Sequence, residues 1–120
     1  MRFPRAHHLL PLLTLLALAT PGLSPHADEP KVIEITAQRF QFAPGQLTLK
    51  KGEPVVLRLR SLDVTHGFYS KPLGIDATIE PGKANDVTVT PTATGKYVVI
   101  CDHFCGSGHG NMKLTVEVVE

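Results

Sequence analysis

Beyond its first 27 residues the chain predicts an all-β domain folded as a two-sheet sandwich. Three observations carry this: short segments that alternate apolar and polar residues, Pro and Gly turn signals between them, and the lack of any sustained helical period. The segment "KVIEITAQRFQF" sets Val32, Glu34 and Thr36 against Ile33, Ile35 and Ala37, and "APGQ" turns the chain into "LTLK". After the turn "KKGEP", the run "VVLRLR" puts Val55, Leu57 and Leu59 on one face and Arg58 and Arg60 on the other, as a strand with one wet side requires. "IEPGKAND" leads into "VTVT", "PTATG" into "KYVVIC", and the chain closes on "KLTVEVVE", where Leu114, Val116 and Val118 alternate with Thr115 and Glu117. Seven or eight strands at this spacing favour an antiparallel sandwich over an α/β domain. With no internal repeat and no linker, residues 28–120 form one domain with a small core, for which a metal or a disulfide is a natural reinforcement.

The first 27 residues, "MRFPRAHHLLPLLTLLALATPGLSPHA", read as a secretory signal. Arg2 and Arg5 form a basic start, Leu9 to Ala19 an apolar stretch, and cleavage is expected after Ala19 or Ala27. The apolar run is short for a bilayer and interrupted at Pro11 and Pro21, so an uncleaved membrane anchor is the weaker alternative. No cysteine directly follows it, which excludes a lipid-anchored cysteine. Removal of Arg2 and Arg5 leaves ten basic against eleven acidic residues, without the basic stripe that nucleic-acid binding requires. Export to the periplasm or beyond also means an oxidising compartment, where two cysteines ordinarily pair as a disulfide.

The stretch "CDHFCGSGHGNM", from Cys101 to Met112, tests that default. It holds both cysteines, two of the six histidines and the only methionine after the initiator, between the last two predicted strands. A disulfide explains Cys101 and Cys105 but leaves His103, His109 and Met112 as coincidences. Zinc usually takes a second ligand pair that is missing here, and it has no use for a thioether. Copper accommodates thiolate, thioether and imidazole together. A second imidazole is available from "SLDVTHGF", expected to hold His66 on the loop after a strand; it is the only other histidine beyond the leader and its edge residue His26. A single copper held by Cys105, His109, Met112 and His66 remains open at this point, with Cys101 surplus.

These residues resemble the copper-binding cupredoxin domain of cytochrome oxidase subunit II and of nitrous oxide reductase, whose shared pattern is H...CxxxCGxxHxxM. The resemblance runs from about Ile33 to Glu120 and includes "DVTHGF", "PGK" and the Gly-x-Tyr before the ligand loop. It implies a cupredoxin-like Greek-key sandwich carrying a dinuclear CuA centre with two copper ions per chain. Cys101 and Cys105 would be bridging thiolates and His66 and His109 terminal imidazoles. Met112 and the backbone carbonyl of His103 would be weak ligands. Oxidase subunits usually carry Glu at the position of His103, where it helps bind magnesium at a subunit interface, so neither that magnesium nor that interface is implied. The transmembrane helices of an oxidase subunit are also lacking, which implies a free-standing domain.

The expected function is therefore exported electron transfer rather than catalysis, since no nucleophile with its base and no paired carboxylate site is visible. Bridging thiolates spread an added electron over both metals and both sulfurs, so little rearranges on transfer. The redox partner implied is a c-type cytochrome or a terminal oxidase or reductase, met by a monomer that touches membrane only if the leader is uncleaved. The alternative is a periplasmic copper chaperone or carrier in metal handling or oxidase assembly. Around the site, Gly106, Gly108 and Gly110 permit a tight backbone path, Phe68 and Phe104 are candidates for a dry shell, and Asp63 is a candidate to orient His66. Lys50, Lys51, Arg58 and Arg60 read as a solvated face.

Overall fold

The computed structural model describes residues 1–4, 18–22 and 29–120. Most of the expected leader and its Ala27 cleavage site, together with His26, lie outside the described residues. Among the described residues no helix is long and apolar enough to cross a membrane.

Among the described residues nine strands build two sheets. In chain order they are β1 (Lys31–Gln38), β2 (Gln41–Ala43), β3 (Gln46–Lys50), β4 (Val55–Ser61), β5 (His66–Ser70), β6 (Ile75–Ile79), β7 (Asn85–Val89), β8 (Gly95–Ile100) and β9 (Lys113–Val119). One sheet has the order β2-β1-β4-β7 and the other β3-β9-β8-β5-β6. The all-β two-sheet expectation holds, but the sheets are not purely antiparallel. β1 runs parallel to β4, from Lys31 opposite Val55 to Ala37 opposite Ser61, and β3 runs parallel to β9. The reason lies in the chain path: after β2 the chain crosses to the other sheet as β3 before returning as β4, so β1 and β4 are not joined by a hairpin.

The alternation read from sequence places the core. Val55, Leu57 and Leu59 of β4 and Leu114, Val116 and Val118 of β9 are buried, while Arg58 and Arg60 reach outward to Asp86 and Glu34. Phe68 meets Phe42 edge to face across the sandwich, with ring centroids 5.3 Å apart. The Tyr97 hydroxyl donates to the Ala93 carbonyl at 2.8 Å, fixing the turn before the ligand strand.

Two local departures bear on the site. "KVIEITAQRFQF" is not one strand, because the chain reverses at Arg39 and Phe40 into the antiparallel pair β1/β2, with Gln38 opposite Gln41. His66 does not sit in a loop after a strand. It opens β5, which pairs with β6 along its length and with β8 at Tyr69 opposite Ile100. That strand and β6 lie in a segment whose apolar pattern gave no separate element in the sequence.

Candidate metal centre

The ligand loop is closed at its base by the β8/β9 hairpin, where Ile100 lies opposite Lys113 and the Cys101 N–H donates to the Met112 carbonyl at 3.1 Å. Within it the chain turns at Gly106 (φ 141°) and Gly108 (φ 127°), backbone angles that side chains other than glycine's rarely accept. A short 3-10 turn, His109–Asn111, then brings His109 and Met112 back toward Cys105. Gly110 has no such conformational need, and a side chain there meets nothing within 4 Å. The loop is therefore tied down at both ends and folded over itself.

Both thiols are free and buried, with Sγ atoms 3.8 Å apart. That separation is far beyond a disulfide bond of about 2.05 Å. It is short enough for one ion to touch both, since metal–thiolate bonds are about 2.3 Å. His66 is fully buried, and its Nδ1 stands 4.0 Å from Cys101 Sγ. The donor atoms of His66, Cys101 and Cys105 all lie within 4.8 Å of one another, the one such group of His, Cys and acidic residues among those described. The other expected donors gather at the rim of this group. The His103 carbonyl oxygen is 3.2 Å from Cys101 Sγ, while His109 Nδ1 and Met112 Sδ lie 3.8 and 4.0 Å from Cys105 Sγ. Of the six residues singled out in the sequence, His103 contributes only its backbone. Its side chain is exposed.

The donors are held by contacts that fix their chemistry. His66 Nε2 lies 2.7 Å from Asp63 Oδ1, so the ring donates from Nε2 and keeps the Nδ1 lone pair toward the thiols. Asp63 also accepts from the N–H groups of Arg39 (2.8 Å) and Val64 (2.6 Å), and its own N–H donates to Ser61 Oγ at 3.2 Å. Burial pushes the Asp63 carboxyl up, but the hydrogen bonds from Arg39, His66 and Val64 outweigh it and bring the pKa down to about 2. The group is thus an anion at neutral pH. Burial, reinforced by the adjacent Cys101 thiol, pushes the Cys105 thiol above its ordinary value, so a bound metal must displace a firmly held proton.

Three residues that sequence patterns did not single out complete the site. The Gly67 N–H donates to Cys101 Sγ at 3.4 Å, and β5 presses so close to the loop that a Cβ on Gly67 would stand 2.8 Å from the backbone nitrogens of Asp102 and His103. The glycine directly after His66 was the available signal. Arg39 donates from Nε to the Cys105 carbonyl at 2.8 Å, and the Phe40 ring lies against Gly106 and Gly108. Nothing announced either one, because both sat inside an apparently continuous strand. The expected aromatic shell needs correction: Phe68 is fully buried in the core, but Phe104 is 74% exposed, its ring centroid 5.9 Å from that of His109. It extends the surface beside His109 and is not part of the core.

The donor chemistry fits copper. Two thiols and a thioether are soft, two imidazoles accept either oxidation state, and four of the five side chains (His66, Cys101, Cys105 and Met112) are buried in an otherwise apolar end of the core. The chain is similar to known proteins over most of its length. The family model described as a cupredoxin-like domain matches residues 8–116. Cytochrome c oxidase subunit 2 of Thermus thermophilus is 33% identical over 88 residues, covering 73% of this chain and 65% of that relative. The alternative cytochrome c oxidase subunit 2 of Bradyrhizobium diazoefficiens is 34% identical over 94 residues, covering 78% of this chain and 31% of the relative. The chain thus spans from a third to two thirds of the length of these relatives. Among solved structures, the periplasmic domain of subunit II of cytochrome oxidase from Bradyrhizobium japonicum superposes with a TM-score of 0.69 at 18% identity, over 75% of this chain and 84% of that one.

Proposed function

This chain belongs to the cupredoxin-like domain family, and from that premise we propose that it is an exported, single-electron carrier built around a dinuclear copper centre of the CuA type. The observation that carries the reading is the pair of free, buried thiols 3.8 Å apart with donors gathered at both sulfurs. His66 Nδ1 and the His103 carbonyl lie by Cys101, and His109 Nδ1 and Met112 Sδ by Cys105. A lone tetrahedral ion calls for one tight cluster of four, whereas His109 stands outside the group formed by His66 and the two cysteines. Copper held there by His66, Cys101, Cys105, His109 and Met112 would supply a one-electron redox couple.

The remaining work belongs to the protein. Asp63 holds the His66 tautomer, the hairpin base and Gly67 fix Cys101, and burial excludes water from the sulfurs. The partially exposed His109 beside the exposed Phe104 gives an apolar approach for a c-type cytochrome or the catalytic subunit of a terminal oxidase or reductase. The names of the relatives, subunits 2 of cytochrome c oxidases, support such a partner and a role without catalysis of its own. The periplasmic origin of the superposed domain supports export, as does the apolar leader. The Greek-key connectivity and the boundary at residues 28–120 belong to the same proposal and are supported by the non-sequential strand orders and by β1 starting at Lys31.

Metal analysis and electron paramagnetic resonance of the copper-loaded chain test this reading. Two coppers per chain and a seven-line hyperfine pattern, from one unpaired electron shared by two nuclei, are expected. One copper with a four-line signal would replace the proposal by a mononuclear site.

A further inference from the structure

The turn joining β1 to β2 lies over the ligand loop, and one residue in it reaches both segments that supply donors. The Arg39 backbone N–H donates to Asp63 Oδ2 at 2.8 Å, and Asp63 in turn accepts from His66 Nε2 through its other oxygen. The Arg39 side chain goes elsewhere, its Nε–H donating to the Cys105 carbonyl oxygen at 2.8 Å. Next along the chain, the Phe40 ring lies 3.1 Å from the Cβ positions of Gly106 and Gly108, so the turn rests on the glycine path immediately after Cys105. The strap is therefore fitted to the loop at three points.

We propose that Arg39 is a positioning residue for the metal centre: its side chain fixes the backbone at Cys105 and sets a permanent positive charge beside the thiolates that raises the reduction potential. The inference rests on the copper reading given above. A guanidinium stays charged at any working pH, and its planar fork is rigid once hydrogen-bonded. One-electron reduction lowers the charge of any copper–thiolate centre by one positive unit. A fixed cation nearby is less unfavourable to the reduced form and therefore favours it. Arg39 is solvent-exposed on its outer side, so the effect is moderate, about tenfold in a one-electron exchange equilibrium, or about 59 mV. It should also weaken with salt, whereas a purely steric role would not. Any residue but proline at this position keeps the backbone contact to Asp63, so substitution isolates the side chain.

The test uses the full chain as wild type, Arg39→Met and Arg39→Lys, each with and without copper. In redox titration against a one-electron mediator at low ionic strength, R39M should shift the equilibrium about tenfold toward the oxidised centre, R39K should recover most of that shift, and salt at roughly 1 M should shrink the difference. In the copper-free chain, loss of the hydrogen bond to the Cys105 carbonyl should move the amide resonance of Gly106, which shares that peptide, in R39M. An R39M equilibrium within twofold of wild type, with the wild-type centre intact, overturns the role of the charge. An unmoved Gly106 amide overturns the positioning role without reference to copper. A wild-type chain that takes up no redox-active copper overturns the copper reading itself and with it the claim on potential. Should R39M lose its dispersed amide spectrum, Arg39→Gln provides the same neutral comparison at similar length.

Discussion

His66 Nε2 and Asp63 Oδ1 are 2.7 Å apart, and this contact decides which imidazole nitrogen faces the two thiols. With the proton held at Nε2, the Nδ1 lone pair is left 4.0 Å from Cys101 Sγ, ready for metal without rotation or tautomer exchange. The carboxylate is itself pinned by the N–H groups of Arg39 and Val64, so the ring is oriented by a group that cannot readily move.

Asp63→Ala should therefore weaken copper binding by about 10- to 100-fold while the β fold persists, because it removes the orienting partner and none of the ligands. Asp63→Asn should be milder, since its amide oxygen still accepts from Nε2. Competition with a chelator of known affinity measures both. Equal affinity in Asp63→Ala and wild type would reduce the contact to turn chemistry.

The two bridging candidates and the thioether should behave differently. Cys101→Ser and Cys105→Ser should each abolish the dinuclear spectrum, because a serine hydroxyl stays protonated near neutral pH where a metal-bound cysteine does not. Met112 is buried with its sulfur 4.0 Å from Cys105 Sγ, and Met112→Leu keeps the volume while removing a weak ligand. Copper should stay and the potential should move. Visible spectra and redox titration of the three variants check this. A Met112→Leu chain that loads no copper beside a Cys101→Ser chain with the wild-type spectrum would reverse the ranking.

Gly67→Ala probes the close approach of β5 to the ligand loop. The new methyl would stand 1.9 Å from Asp102 Oδ1, which can swing aside, and 2.8 Å from the backbone nitrogens of Asp102 and His103, which cannot. We expect a loss of about 1–3 kcal/mol in chemical unfolding of the copper-free chain, typical of overpacking, together with displacement of Cys101 and weaker copper binding. Unchanged stability would mean that the loop relaxes freely and is not held in place by β5.

Much of the fold and the centre was legible because the relevant signals are local. Alternation in "VVLRLR" and "KLTVEVVE" identified the buried faces of β4 and β9, and the scarcity of Cys, Met and His made their clustering from Cys101 to Met112 conspicuous. What escaped depends on contacts between distant segments. The reversal at Arg39 and Phe40 carries no Gly, Pro or Asn, so the pattern ran on through it, and the parallel β1/β4 pairing is set by a crossover that no single segment encodes. Arg39 and Gly67 matter only because the strap and β5 close on the ligand loop, 66 and 34 residues away from the atoms they bond. The same limit misplaced Phe104, whose aromatic character alone gave no hint that it faces solvent.

The last prediction separates electron carriage from copper delivery, and it follows from where the donors are. A chaperone must let an acceptor's ligands replace its own one at a time, which calls for donors open to solvent. Here His66, Cys101, Cys105 and Met112 are buried, they come from β5 and from a loop closed at its base, and the Arg39–Phe40 turn lies over that loop. Of the five donor side chains only His109 is partly open, beside the exposed Phe104, which suits electron approach better than ligand exchange. The copper-loaded chain should accordingly keep its metal in both oxidation states against a chelator of moderate affinity, and it should exchange electrons rapidly with a soluble c-type cytochrome. Mixing it in a stopped-flow instrument with reduced cytochrome, and separately with a copper-free acceptor domain, follows redox state and metal independently. Phe104→Ser should slow the cytochrome reaction without releasing copper, because it removes apolar contact surface and no donor. Metal lost to the acceptor within minutes, with sluggish oxidation of the cytochrome, would instead identify a protein that hands copper on to an oxidase or another acceptor.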